Sequence, residues 1–152
     1  MEEIGIPAGD INRYAQIMAG TLAIFHWVGQ IDGNDIEFVL AQSQTNDSGA
    51  VSNVLGTHDV WVLDFDLCRN MEMDAQGVAQ AAVAFWRNDP YYPRPGKDTH
   101  LWETFRDRYI QMSEVCTTLY ERGEASKRRF LSKMFIEYVE NYKEKGEGRR
   151  EG

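Results

Sequence analysis

At 152 residues, 43% apolar and 12% aromatic, the chain is long enough for one domain with a substantial core and too short for two of ordinary size. A formal charge of −8 and a pI near 4.9 argue against a nucleic-acid partner, which would need an excess of Lys and Arg on one face. Cys68 and Cys116 form no CxxC pair and are too few for a disulfide framework or a zinc site. The opening MEEIGIPAGD has no basic region followed by an apolar stretch, and no run is long enough to span a bilayer, so a soluble, cytoplasmic protein is expected.

In chain order, Ile11, Tyr14, Ala15, Met18, Leu22 and Phe25 recur at three- and four-residue steps, which predicts a helix over 10–28 capped by Asp10. Gly29 ends it, and Gly33 with Asn34 marks a turn before the β-prone run Ile36 to Ala41. Residues 42–58 are polar and without apolar pattern, the composition of an exposed loop. Val60 to Phe65 is a continuous apolar run ending in acids, predicted to pair antiparallel with Ile36–Ala41 as a two-stranded ribbon lying on helices. Asp74 caps a predicted helix to about Arg87, with Val78, Ala81, Ala82 and Phe85 on one face. NDPYYPRPG at 88–96 holds three prolines and reads as a rigid aromatic loop. Leu101, Phe105, Tyr109, Met112, Cys116 and Leu119 draw a helix from Asp98 to about Glu121, closed by Gly123. Ser126 caps a last predicted helix with Phe130, Met134, Tyr138 and Tyr142 as its apolar face. The fold class expected is mainly α with a small β-ribbon: one domain over 1–145, then a charged, frayed tail over 146–152.

The helix ending in LAIFH, the loop IDGNDIEF and the strand VLDFD resemble the C-terminal lobe of the protein kinase and aminoglycoside-phosphotransferase superfamily. WVLDFDLCR at 61–69, MDAQGVAQA after it and FWRNDPYYPRP at 85–95 are similar to a fungal domain-of-unknown-function family (DUF3669), commonly labelled zinc-finger-like. The kinase resemblance implies that Asp32 stands for the catalytic-loop aspartate. Glu37, five positions on, then stands for the metal-binding asparagine, and Asp64 for the magnesium-holding aspartate of the DFG motif. Asp66 replaces the usual glycine, a departure more like the small-molecule phosphotransferases. The resemblance thus implies Mg²⁺ at Asp64 and Glu37 where any metal binds, and no other cofactor is expected. The His-Arg before the aspartate is missing. So are the glycine-rich loop and strand lysine of an upper lobe, which argues against an ATP-dependent kinase.

The acids also carry an argument of their own. A hairpin joining the two β-segments places Asp32, Asp35 or Glu37 near one end, with Asp64 and Asp66 at the end of the other strand. Carboxylates held close together repel, so a divalent cation neutralises them or one stays protonated. Asp32, Asp64 and Asp66 are therefore the candidate catalytic residues, with His26 assisting. Glu37, Trp27, Trp61, Tyr91, Tyr92 and Arg94 are the candidate ligand-binding residues. Against this stand structural readings: IDGND as plain turn chemistry, the acids of DFD as a strand terminus, His26 as a packed histidine, the tryptophans as core, and Cys68 as a small buried hydrophobe. The function expected is a small-molecule-binding protein or cofactor-independent acid/base enzyme, of the kind fungal secondary metabolism uses, with a carboxylate cluster in an aromatic-lined pocket. The alternative is a non-catalytic, pseudokinase-like binding or regulatory module. Apolar surface left by a missing lobe would suit a homodimer.

Overall fold

The computed structural model describes residues 5–43, 50–88 and 92–142. Its elements run α1 (Ala8–Trp27), β1 (Glu37–Gln42), β2 (Val51–Asn53), β3 (Gly56–Leu63), α2 (Ala75–Arg87), α3 (Thr99–Thr117) and α4 (Arg122–Asn141), with a 3₁₀ turn at Phe65–Leu67. The architecture is mainly helical with a small antiparallel sheet, an α+β fold. Helix α1 packs along α3, α2 along α4, and α3 also meets α4.

The ribbon forms with the expected partners: Glu37 faces Leu63, Phe38 faces Val62, and the ladder continues to Gln42 opposite His58. Opposed residues of an antiparallel pair share a face. Phe38 and Val62 therefore turn together onto the core, while Glu37, Val39, Trp61 and Leu63 lie on the outer face. The sheet has three strands rather than the two expected, in the order β1-β3-β2. The third, Val51–Asn53, lies in the stretch read as an unpatterned loop, and it is too short for a period-two signal. It exists because Asn53 and Gly56 close a tight turn onto β3 and because Val51 is buried beside Ile6 and Tyr14. Tyr14 reinforces this corner through hydrogen bonds to His58 and to Asn53.

The main core gathers around Phe85, whose ring meets those of Trp102, Phe105, Tyr92 and Phe135 at 5.7–6.2 Å. Such contacts combine large apolar burial with edge and tilted ring geometry. The expected cap at Asp74 forms, accepting from Gly77 N at 2.9 Å, and Asp98 caps α3 in the same way, accepting from Leu101 N at 3.0 Å. Asp10 does not cap α1. Pro7 takes that place, and Asp10, already inside the first turn, accepts from the Asn53 side chain at 3.1 Å.

The last two helices depart from the predicted boundaries. Helix α3 stops at Thr117, where the Thr117 and Thr118 hydroxyls donate to the carbonyls of Glu114 and Val115. Helix α4 then starts at Arg122, with Gly123 inside its first turn. The buried face of α4 is Arg128, Leu131, Phe135, Ile136 and Val139, not the Phe130–Met134–Tyr138–Tyr142 row; Phe130 is 65% exposed. A pure four-residue step advances about 40° too far per repeat of a 3.6-residue helix, so that row drifts off the core, whereas alternating three and four tracks it. Arg128 crosses back to the end of α1, where its guanidinium and the Tyr120 hydroxyl both donate to the Trp27 carbonyl. A cation at a helix C-terminus complements the partial negative charge there.

Candidate functional site

The loop between α1 and β1 is heavily braced. Gln30, Gly33 and Asp35 all have positive φ, at 54°, 71° and 61°. Backbone of this kind persists only where its surroundings determine it. Here Met71 N donates to Gln30 O at 2.8 Å and Asp32 N to Arg69 O at 3.0 Å, with Ile31 and Asn70 bridged antiparallel. From the other side the Asn88 side chain accepts from Asp35 N at 2.7 Å and donates to Gly33 O at 3.0 Å, and the Tyr92 hydroxyl donates to Ile36 O at 2.9 Å. Gly33 is needed for space as well as for φ, since a Cβ there would lie 2.9 Å from Leu22 Cδ1.

Asp32 sits at the centre of this bracing and is 3% exposed. Its Oδ1 accepts from Asn34 N at 2.9 Å and Arg69 N at 3.0 Å, and its Oδ2 accepts from Gln80 Nε2 at 2.9 Å. Gln80 Nε2 also donates to Asn70 O at 3.0 Å, so α2 is tied to the same loop. The carboxylate borders a cavity of about 260 Å³ lined by Asn34, Arg69, Gln80, Val83 and Arg87 as well as Asp32. A buried carboxylate supplied with three neutral donors remains an acceptor, because each oxygen has two lone pairs.

None of the other nominated residues among the described ones lines this cavity. His26 and Trp27 are fully buried in the α1–α3–α4 core. His26 Nδ1 is hydrogen-bonded to the Tyr109 hydroxyl at 2.7 Å. Burial lowers the imidazole from 6.5 to about 4, and the weaker attraction of the Asp32 main chain and carboxylate does not reverse this. Burial likewise pushes Tyr109 well above its usual value, so the pair is neutral at physiological pH. Asp64 and Asp66 are exposed in the turn after β3, with Asp64 in the left-handed region at φ 64°, ψ 59°. Neither borders the Asp32 cavity. Glu37 is exposed opposite Leu63, one step along the ladder from Asp64. Trp61 is 53% exposed on the outer sheet face. Tyr92 is buried against Phe38 and Phe85. Arg94 clamps the Trp86 and Asn88 carbonyls and lies 5.1 Å from the Trp86 ring centre. Tyr91 lies outside the described residues.

The structure thus brings Asp32 together with Arg69, Gln80 and Arg87, none of which was singled out from the sequence. The available signal is helical: Gln80, Val83 and Arg87 follow at three- and four-residue steps along α2, on a side that the stripe of Val78, Ala81 and Phe85 leaves free.

Residues 60–121 match the family model DUF3669, described as a zinc finger protein. The match begins in β3 and ends just before α4, covering Arg69, Gln80 and Arg87 but not Asp32. No curated protein and no solved structure matches the chain. The donor set does not fit the zinc that the family's description implies. Among the described residues no group of three or more His, Cys, Asp or Glu is gathered as an ion would require. Cys116 is buried in the core, and the Cys68 thiol donates to Asn34 O at 3.5 Å. Burial raises both thiols, opposite to the thiolate a metal needs. Among the described residues no helix is long and apolar enough to cross a membrane.

Proposed function

We propose that this chain is a small-molecule-binding domain whose ligand occupies the cavity bordered by Asp32. The carrying observation is the Asp32 carboxylate itself: buried, held by three hydrogen bonds on a braced loop, and bordering a concave space beside α2. A site fixed this way is largely pre-formed, which lowers the ordering cost of binding. About 260 Å³ is at the small end for ligand sites and suits a metabolite better than a nucleoside triphosphate. If the domain is an enzyme, proton transfer falls to Asp32, since His26 is enclosed and Asp64 and Asp66 border other surface. The family match over 60–121 supports grouping the chain with DUF3669.

The test is a thermal-shift screen of small polar metabolites, with ATP and Mg²⁺ included. A ligand at one hundred times its Kd stabilises by about 2.7 kcal/mol, and Asp32→Asn should abolish that shift. A screen in which no small metabolite stabilises the protein, or a hit that Asp32→Asn leaves unchanged, would overturn the proposal. Stabilisation that needs ATP and Mg²⁺ together would restore the kinase reading.

A second reading is favoured by the outer sheet face, where Trp61 and Leu63 are 53% and 43% exposed and Phe65 and Leu67 follow in the exposed 3₁₀ turn. An apolar strip of this kind is a contact surface for a partner or a second copy, and it fits a non-catalytic module.

A further inference from the structure

Two arginines, Arg69 and Arg87, line the Asp32 cavity, one from the segment after β3 and one from the last turn of α2. Among the described residues neither guanidinium has a hydrogen-bond or ion-pair partner. Both side chains are at exposed positions, in a chain with 24 acidic and 16 basic residues where other arginines do find acceptors. Arg129 makes a two-pronged pair with Glu114 at 2.9 Å to both oxygens, Arg128 pairs with Glu124 at 3.3 Å, and Arg106 pairs with Asp107 at 3.3 Å. The carboxylate bordering the same cavity has the complementary lack. Asp32 accepts only from neutral groups, two main-chain N–H groups and the Gln80 amide, and among the described residues no cation is paired with it.

We infer that the ligand of this cavity is a small organic anion, a carboxylate or phosphate, whose charged end is held by Arg69 and Arg87 while a hydroxyl or amine at its other end donates to Asp32. The inference rests on the reading of the cavity as a ligand site and adds its chemical class. The guanidinium presents a planar fork of donors that matches the two oxygens of a carboxylate or phosphate. Two such forks at one rim give affinity for the anion. The acceptor at the floor rejects a simple dianion with no donor, because two carboxylates brought together would repel. Asp32 is buried and both arginines are exposed, so the donor end of the ligand goes in first and the anion stays nearer solvent.

The experiment uses the whole chain, ¹⁵N-labelled, with chemical shifts followed at the Gln80 side-chain amide and the Arg69 and Arg87 Nε–H groups. Four probes are titrated separately: inorganic phosphate, L-malate, the neutral polyol erythritol and the cation putrescine. Malate is expected to move all three resonances and to bind more weakly as salt rises. Arg69→Gln and Arg87→Gln should each weaken malate about tenfold or more, the worth of a charge-assisted hydrogen bond. Arg122→Gln, at an exposed position on α4, should leave malate unchanged. Phosphate binding that moves the Gln80 amide and both arginine Nε–H groups, without malate binding, would identify phosphate as the anionic group and uphold the inference; phosphate that moves only the arginines would overturn it. Erythritol or putrescine moving Gln80 while both anions stay silent would overturn the anion assignment and leave the cavity a ligand site. Silence of all four probes would overturn both. Malate affinity unaffected by either arginine variant would place the anion elsewhere and overturn the inference.

Discussion

Replacing Asp32 separates what its carboxylate does for the fold from what it offers a ligand. Asp32→Ala strands three donors at once: Asn34 N, Arg69 N and Gln80 Nε2, now at 2.9–3.0 Å from the carboxylate. A buried donor left unsatisfied costs about 1–3 kcal/mol. Gln80 keeps its bond to Asn70 O, so most of the loss comes from the two main-chain groups of the braced loop, and about 3–5 kcal/mol is expected in total. That is a large share of the roughly 5–15 kcal/mol that holds a domain together. Asp32→Asn keeps the oxygen that Asn34 and Arg69 use. It turns an N–H toward Gln80, which must rotate its amide and give up Asn70 O, for about 1 kcal/mol. In chemical denaturation followed by circular dichroism, Ala should be severely destabilised and Asn nearly native. Asp32→Ala within about 1 kcal/mol of the parent would refute the bonding described here. Equal damage from Asn and Ala would show that charge, not hydrogen bonding, holds the loop.

His26 gives a pH signature. With its imidazole lowered to about 4 in the folded chain against 6.5 unfolded, the unfolded state takes up the proton first on acidification. Stability should therefore fall from pH 6.5 toward 4, by up to about 3 kcal/mol from this group, and level off below that. His26→Phe should flatten that part of the profile, and an unchanged slope would count against an enclosed neutral histidine. Phe85→Ala should cost about 3–5 kcal/mol by opening a cavity among four rings, measured as a shift of the denaturation midpoint. Gly77→Ala places a Cβ 1.8 Å from Glu72 O, and about 1–3 kcal/mol of overpacking is expected; a neutral effect would mean the turn at 72–74 can open. Trp61→Ser should change stability by less than about 0.5 kcal/mol while reducing any self-association seen by sedimentation. A monomer at all concentrations in the parent would remove the dimer from consideration.

Much of the fold was legible because its signals are local. The helices at 8–27 and 75–87 and the ribbon of β1 with β3 follow from apolar period and turn residues, with the Asp74 cap marking the start of the second helix. What escaped was decided by contacts distant in sequence. The strand at 51–53 is held by Tyr14 and by β3, and the buried face of α4 is chosen by where Arg128 and Phe135 meet the end of α1. The burial of His26 and Trp27 side by side reflects a helix end enclosed by α3 and α4, which an amphipathic pattern on α1 does not announce. The site was legible only in part, for the same reason. Asp32 stands out in IDGND, but the residues that fix it, Arg69 and Gln80, lie 37 and 48 positions away. Asp64 and Asp66 share the motif character of Asp32 but lie exposed after β3, Asp64 in the left-handed region and Asp66 in the 3₁₀ turn.

The most direct measurement is a titration of the labelled protein with small polar metabolites, read at the Gln80 side-chain amide. A bound metabolite is expected to move this resonance, and Asp32→Asn, though folded, should no longer respond. A ligand that binds while the Gln80 amide stays still, shifting residues of the outer sheet face around Trp61 instead, would contradict it.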